Sequence, residues 1–221
     1  MKKSLEKFYG LNPLKCLVMQ INKDTKIYCS FSANPGNNGC NFFNKKFKEH
    51  NIDAIYKSFF SDNLCKSVNA VKSLNISGFA LSMPFKTEIL DYADKIDPKA
   101  MQIGSANTIL NSAGNLIAYN TDWIGVKKFF LNMNNKPNDI LIAGNGGFSK
   151  AVQYACEQIN INYKVVTRSN WSNLESTDKI IFNATPVDLT NKNIIDARPF
   201  SKDGKTIANF QAEEQFKLYS K

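Results

Sequence analysis

The residues Ile140–Val152 (ILIAGNGGFSKAV) carry glycines at a spacing that can cradle phosphate. The apolar run Ile140–Ala143 reads as a buried strand, Gly144-Asn145-Gly146-Gly147 as a tight turn, and the residues from Phe148 to about Asn160 as a helix. Such a turn lets a dinucleotide pyrophosphate approach bare backbone. The phosphates then sit on a helix N-terminus, where unpaired N–H groups and the helix dipole favour an anion. Gly144 permits the turn, Gly146 and Gly147 keep side chains out of it, and Ala151 allows the helix to pack close to the strand. Ser149 stands where the plain G-x-G-x-x-G pattern has its third glycine, so the pattern is broken. An ordinary strand–helix turn is the competing reading.

The next strand candidate ends at Val166-Thr167-Arg168-Ser169, where an acidic residue would hold the ribose 2′-OH of NAD. An arginine stands there instead. Its guanidinium suits the 2′-phosphate of NADP through charge and paired donors, and Thr167 and Ser169 flank it with hydroxyls. Asn183-Ala184-Thr185-Pro186 closes a later strand, at the edge where a nicotinamide would lie. A plain turn fits those four residues equally well.

Four polar clusters precede the glycine loop: Ser30-Phe31-Ser32, Ser82 to Lys86, Ser105 to Thr108, and Asn120-Thr121-Asp122. Each lies at the end of a strand candidate, where open α/β sheets gather their ligands. Lys86 opens a helix predicted over Lys86–Asp94, near the positive end of its dipole. Oxidising an alcohol requires a polar group to remove the hydroxyl proton as hydride leaves carbon, and Lys86 and Asp122 are candidates. Singly, each residue has a plain reading. Lys86 can be a solvated lysine, Thr121 or Asp122 a helix cap, the serines turn residues, and Asn107 a tie at a strand end.

Taken in order, SMPFK, IGSANTI and YNTDWIG ahead of AGNGG resemble the shikimate dehydrogenase family. INKDTKIYCSFSANPGNNG with SMPFK is most similar to its shikimate dehydrogenase-like branch. The likeness runs from about Ile21 to Ala197 and resumes over Phe210–Phe216. It implies that Ser30 and Ser32 bind a substrate carboxylate, that Lys86 and Asp122 form the catalytic pair, and that Asn107 and Gln211 hold ring hydroxyls. Ser82 would line the site. The implied reaction is NADP-dependent interconversion of shikimate, or a related cyclic hydroxy acid, with its 3-dehydro form on the chorismate route to aromatic amino acids.

The sequence departs from the family in two places. Ala80 and Ser82 replace the asparagine and threonine of the biosynthetic enzymes. After Ile195-Asp196-Ala197-Arg198-Pro199 only FSKDGKTIAN precedes the glutamine-bearing helix, where the family has a further helix and strand. A nucleotide domain shortened at that edge also fits a weakly active or non-catalytic ligand-binding member of the family.

The composition narrows the remaining classes. The balance of 28 Lys+Arg against 19 Asp+Glu gives a charge of +9, a field that suits anionic small molecules. The lysines are scattered, the densest group being Lys45, Lys46 and Lys48, and no nucleic-acid module is recognisable. Five cysteines (Cys16, Cys29, Cys40, Cys65, Cys156) without a C-x-x-C pair indicate reduced thiols and no metal site. The apolar run Cys16–Met19 is too short for a signal peptide, and no stretch reaches membrane-spanning length. The expectation is a cytoplasmic monomer or homodimer that uses neither metal nor membrane. His50, the only histidine, reads as a solvated residue at a helix end.

The elements that must position these groups alternate between strand and helix, which indicates α/β architecture with parallel sheets wound by crossover helices. Residues 1–121 read as an α/β substrate-binding domain, joined by a C-terminal helix over residues 210–221. Residues 122–209 read as a Rossmann-like nucleotide-binding domain, shortened at its C-terminal edge.

Overall fold

The computed structural model describes residues 21–171, 174 and 177–221. Cys16, the run Cys16–Met19 and the first 20 residues of the expected substrate domain lie outside the described residues.

Strands β1 (Lys26–Ser32), β2 (Ala54–Phe60), β3 (Gly78–Leu81), β4 (Lys95–Ile96), β5 (Thr108–Ser112) and β6 (Asn115–Tyr119) form one sheet in the order β2-β1-β3-β5-β6-β4. Helices α1 (Asn38–Glu49) and α2 (Leu64–Ser73) link β1, β2 and β3, which run parallel. Strand period sets the two faces. Tyr28 points into a cluster with Phe43, Phe47, Tyr56, Phe216 and Tyr219, while Cys29 and Phe31 point into one with Leu64, Val68, Phe79 and Ile109. This sheet is mixed, because β5 is antiparallel to both β3 and β6. The hairpin turn Asn111–Gly114, with Ala113 and Gly114 at positive φ, reverses the chain in place of a crossover helix.

Strands β7 (Asp139–Ala143), β8 (Asn162–Val166), β9 (Ile180–Asn183) and β10 (Ile194–Asp196) form a second, fully parallel sheet in the order β10-β9-β7-β8. Helices α4 (Asp122–Leu131) and α5 (Gly147–Glu157) and the short α3 (Pro98–Ile103) cover one face through Ile103, Trp123, Val126, Phe130, Val152, Ala155 and Phe182. From β7 the chain goes through α5 to β8 on one side, then returns to β9 on the other. The crevice at this switch opens at the carboxyl end of β7, where the glycine turn lies.

Two helix expectations are corrected. The expected helix Lys86–Asp94 is a turn through Thr87 followed by a five-residue 3-10 helix, Glu88–Tyr92, so Lys86 does not stand on a helix dipole. Pro84 and the tie of Ala106 N–H to the Lys86 carbonyl at 2.7 Å hold that segment in a turn. The C-terminal helix begins well before Phe210. α6 spans Lys202–Tyr219, its first turn capped by Ser201 Oγ accepting from Gly204 N–H at 2.8 Å. Segment FSKDGKTIAN is therefore largely helix, and α6 runs unbroken through residues 209–210. Ile207 packs in the core of the second sheet, whereas Phe216 and Tyr219 pack in that of the first. One helix joins both halves. At its crossing with α4, a Cβ added to Gly125 would lie 2.8 Å from the Ile207 carbonyl oxygen, so only glycine allows this approach.

Candidate functional site

The first sheet presents one continuous polar edge. β1 and β3 are parallel with Phe31 opposite Leu81, so Ser32 and Ser82 emerge side by side. β5 enters from the opposite direction, so Asn107, just before it, stands at the same edge; Leu81 N–H donates to its carbonyl at 2.9 Å. β6 ends at Tyr119 opposite Thr108, and Asn120, Thr121 and Asp122 follow at once. Strand reversal thus explains how a residue at the start of one strand meets residues at the ends of three others.

Lys86 and Asp122 meet there. Lys86 Nζ donates to Asp122 Oδ2 at 2.6 Å, with side chains 16% and 6% exposed. Asp122 begins α4, where an anion is favoured by the unpaired first-turn N–H groups. Its other oxygen accepts from Asn107 Nδ2 at 3.0 Å. Asn107 Nδ2 also donates to Thr121 Oγ1 at 2.9 Å, and its Oδ1 accepts from Thr121 N–H at 2.7 Å. A backbone N–H can only donate and a carboxylate can only accept, so the orientation of this amide is fixed. Gln211, on α6, donates Nε2 to Thr121 Oγ1 at 3.1 Å. Lys86, Asp122, Asn107 and Gln211 therefore form one network, with Thr121 as its hub.

Ser30 and Ser32 lie two residues apart on β1 and share a face. Ser30 Oγ donates to Ser58 Oγ at 3.1 Å, and Ser58 also contacts Cys40 Sγ at 3.3 Å. Burial drives the Tyr56 phenol well above its ordinary value, offset in part by a hydrogen bond with Ser30. Ser32 Oγ accepts from Asn34 N–H at 3.0 Å, leaving its own proton to donate. Ser82 is exposed just beyond β3.

The glycine turn faces this cluster. Gly144 has φ +105°, and a Cβ there would lie 2.8 Å from Thr185 Cγ2. Thr185 is itself tied down, its Oγ1 donating to Asn183 Oδ1 at 2.7 Å. Ser149, in the third-glycine position, donates Oγ to the Gly144 carbonyl at 2.7 Å and so braces the turn. Gly146 precedes α5 without a side-chain cap and has no atom within 4 Å of where a Cβ would be. Bare backbone, open space and an eleven-residue helix starting at Gly147 form a cradle that fits a dinucleotide pyrophosphate. At Gly147 a Cβ would lie 2.8 Å from Lys86 Cβ. Ser105 Oγ donates to the Gly147 carbonyl at 2.9 Å, and Lys86 Nζ sits 5.3 Å from the Phe148 ring centroid. The amine–carboxylate pair thus stands against the start of α5.

β8 ends at Val166, whose carbonyl accepts from Gly144 N–H at 2.9 Å. The expected strand end at Arg168 is instead a short 3-10 turn, Arg168–Asn170. Arg168 is exposed beside the glycine turn, without an ion-pair partner among the described residues. Thr167 and Ser169 hydroxyls contact each other at 2.9 Å. A cavity of about 620 Å³ lies elsewhere, along β7 and β8 beside Tyr163, Lys164 and Lys179. It contains none of these groups. Among the described residues, no cluster of His, Cys, Asp and Glu could hold a metal ion, and no helix is long and apolar enough to cross a membrane.

Comparison with known proteins adds an independent line. The family model for the shikimate dehydrogenase substrate binding domain matches residues 39–109. A shikimate dehydrogenase-like protein of Haemophilus influenzae is 40% identical over 136 residues, covering 60% of this chain and 49% of the relative. A Bacillus cereus shikimate dehydrogenase (NADP(+)) is 39% identical over 123 residues, covering 53% and 44%. The solved structure of a shikimate 5-dehydrogenase-like protein superimposes with a TM-score of 0.72 at 29% identity, covering 90% of this chain and 93% of that one. The chain is similar to the shikimate dehydrogenase family, through the substrate-domain match over residues 39–109, through these relatives and through the fold. It spans about half the length of the curated relatives it matches, whereas its likeness to the solved fold extends across both sheets.

Reading the sequence for site residues passes over several groups that build this candidate site. Ser105 grips the turn, and Asn120 Nδ2 holds Ser105 Oγ at 3.1 Å. Thr121 is the hub of the amide network, Phe148 lies beside the Lys86 amine, and Ser58 backs Ser30. Ser105, Asn120 and Thr121 stand inside polar clusters that the sequence displays, so the signal was present without the role. Ser58 is opposite Ser30 only through the register of β1 on β2, which is a tertiary fact.

Proposed function

We propose that this chain is a cytoplasmic NADP-dependent dehydrogenase that interconverts shikimate, or a related cyclic hydroxy acid, with its 3-dehydro form. Residues 1–121 with 210–221 form the substrate half, and residues 122–209 form the nucleotide half. The observation that carries the reading is the Lys86–Asp122 pair, 2.6 Å apart and packed against the first residue of the helix after the glycine turn. A nicotinamide dinucleotide, when bound, supplies or takes up the hydride. Gly144, Gly146 and Gly147 would hold its phosphates, with Thr185 beside Gly144. Arg168, flanked by Thr167 and Ser169, would recognise a 2′-phosphate, in keeping with the NADP in the name of the Bacillus relative.

The chain's own groups do the rest. Ser30 and Ser32 donate to the substrate carboxylate, and Ser82 lines the entrance. Gln211 and Asn107 hold ring hydroxyls; on Asn107 a substrate oxygen would compete with Thr121 Oγ1 for one amide hydrogen. In the reducing direction Lys86 Nζ gives a proton to the carbonyl oxygen, and in the oxidising direction it takes the hydroxyl proton back. Asp122 aims that amine, and Asn107 aims Asp122.

NADPH absorbance with shikimate and with quinate tests the reading. Lys86→Ala is expected to lose at least about a hundredfold in kcat, the usual scale for a general acid–base group. It should still bind NADP in calorimetry. Equal turnover in the two proteins would remove Lys86 from the reaction. Failure of the wild type to bind NADP or NAD would identify a non-catalytic ligand-binding member instead.

A further inference from the structure

The amide network does not end at Gln211. Its Nε2 donates one hydrogen to Thr121 Oγ1 at 3.1 Å and a second to Gln215 Oε1, one helical turn on, at 2.9 Å. Gln215 is 2% exposed, one of the largest fully buried side chains, and a glutamine is seldom placed so deep without a specific partner. Its Nε2 donates to Tyr219 Oη at 2.8 Å, a further turn along α6. Tyr219 is 2% exposed, stacks on Tyr28 at 4.3 Å, and accepts at its carbonyl from Tyr28 Oη at 2.9 Å. A chain of polar contacts thus runs from the aromatic core under β1 to the Lys86–Asp122 pair.

The direction of these bonds has a chemical consequence. Both amide hydrogens of Gln211 are used, so what it presents toward the edge is its carbonyl oxygen, an acceptor. Were Gln215 turned over, its NH2 would face the Gln211 NH2, and Gln211 would have to rotate and present a donor. We propose that Gln215 is the positioning residue that fixes Gln211 as a hydrogen-bond acceptor for a substrate hydroxyl. This rests on the dehydrogenase reading for its effect on substrate, but the orientation of the amide does not. Gln215 touches neither Lys86 nor Asp122, so its effect belongs in substrate affinity rather than in turnover.

Three variants of the full chain separate this from a packing role. Gln215→Leu keeps the approximate volume and removes the acceptor. Gln215→Glu keeps an acceptor, to which Tyr219 Oη can donate in turn, and Gln211→Ala removes the positioned group. In 15N-edited NMR of the free protein, the Gln211 side-chain amide protons are expected to exchange slowly in wild type and Gln215→Glu and rapidly in Gln215→Leu. In NADPH assays, the shikimate KM should rise about tenfold in Gln215→Leu, the scale of one lost hydrogen bond, with kcat and the NADP KM within about twofold. Adding Gln211→Ala to Gln215→Leu should raise it little further, and Gln215→Glu should recover most of the loss. Unchanged Gln211 amide protection in a folded Gln215→Leu protein overturns the proposal even if the enzyme turns over normally. Should wild type not turn over shikimate, the dehydrogenase reading fails for that substrate, and the amide exchange still decides the role of Gln215.

Discussion

The two facing edges of the molecule are built on opposite principles. At the polar edge of the first sheet, the proposed substrate edge, most groups are held by another side chain: Lys86 by Asp122, Asp122 by Asn107, Asn107 by Thr121, and Ser30 by Ser58. At the glycine turn, the proposed nucleotide edge, the surface is bare backbone, with Gly144, Gly146 and Gly147 carrying no side chain into it. A side-chain network fails when one partner is removed, because the remaining buried polar groups are left unpaired. A bare-backbone cradle fails when something is added. Substitutions should therefore act by loss at one edge and by intrusion at the other.

The sharpest way to break that contrast is at Gly147, where the edges touch. An added Cβ would lie 2.8 Å from Lys86 Cβ and 3.3 Å from Ser105 Cβ, so Gly147→Ala must displace one of them. The expected outcome is a fall in kcat/KM of about a hundredfold, the scale of an ångström-sized misplacement of a catalytic group. Gly146→Ala, with open space around the new methyl group, is the control and should weaken nucleotide binding without moving Lys86. Steady-state NADPH kinetics on both variants, with calorimetry of NADP, separate the effects. Equal damage to kcat from the two would mean that Gly147 acts only through phosphate.

Arg168 offers an intermediate test. It is exposed and has no ion-pair partner among the described residues, so none of those depends on its charge. Arg168→Ala is expected to weaken NADP by about tenfold, the worth of a charged hydrogen-bond donor, and to leave NAD affinity and thermal stability unchanged. Calorimetric titration with each dinucleotide reads both numbers. Parallel loss of NADP and NAD would assign Arg168 to the common part of the nucleotide.

How far the sequence foretold these edges depends on the same contrast. A backbone cradle writes itself locally, since only glycine fits at Gly144 and strand, turn and helix lie in immediate succession. The loop could therefore be read from Ile140–Val152 alone. The substrate edge draws on β1, β3, β5, β6 and α6, and no local pattern says that Asn107 meets Asp122. The residues stood out as polar clusters at strand ends, but their separate roles came only through the resemblance of SMPFK, IGSANTI and YNTDWIG to a family. The β5–β6 hairpin was also local, since two β-rich runs flank a turn rich in small and polar residues, whereas the antiparallel seating of β5 on β3 is a tertiary fact. The helix expected over Lys86–Asp94 is a turn and a 3-10 helix instead, two forms that so short a stretch of sequence does not tell apart. Gln215 left no sequence signal, since a glutamine on an amphipathic helix reads as solvent-facing until α6 is seen to dive beneath β1.

The smallest expected effect concerns the joint between the two edges rather than either one. Glu214 of α6 bonds Lys128 of α4 at 2.5 Å and Lys217 at 2.8 Å, with its side chain 15% exposed. Burial alone would raise its carboxyl pKa, but the two lysines outweigh burial and hold it below its ordinary value of 4.5. A carboxylate with a depressed folded-state pKa binds protons more tightly when unfolded. Its stabilisation is therefore fully present above the unfolded value and is lost as pH falls through the folded one. Glu214→Gln should cost about 1 kcal/mol near pH 7, where the ion pairs are intact. The gap to wild type should close below about pH 4, as the wild-type carboxyl also becomes neutral. Urea unfolding across that range measures it. No difference at any pH would mean that Glu214 acts through its shape and not its charge, leaving the α4–α6 joint to the close approach at Gly125.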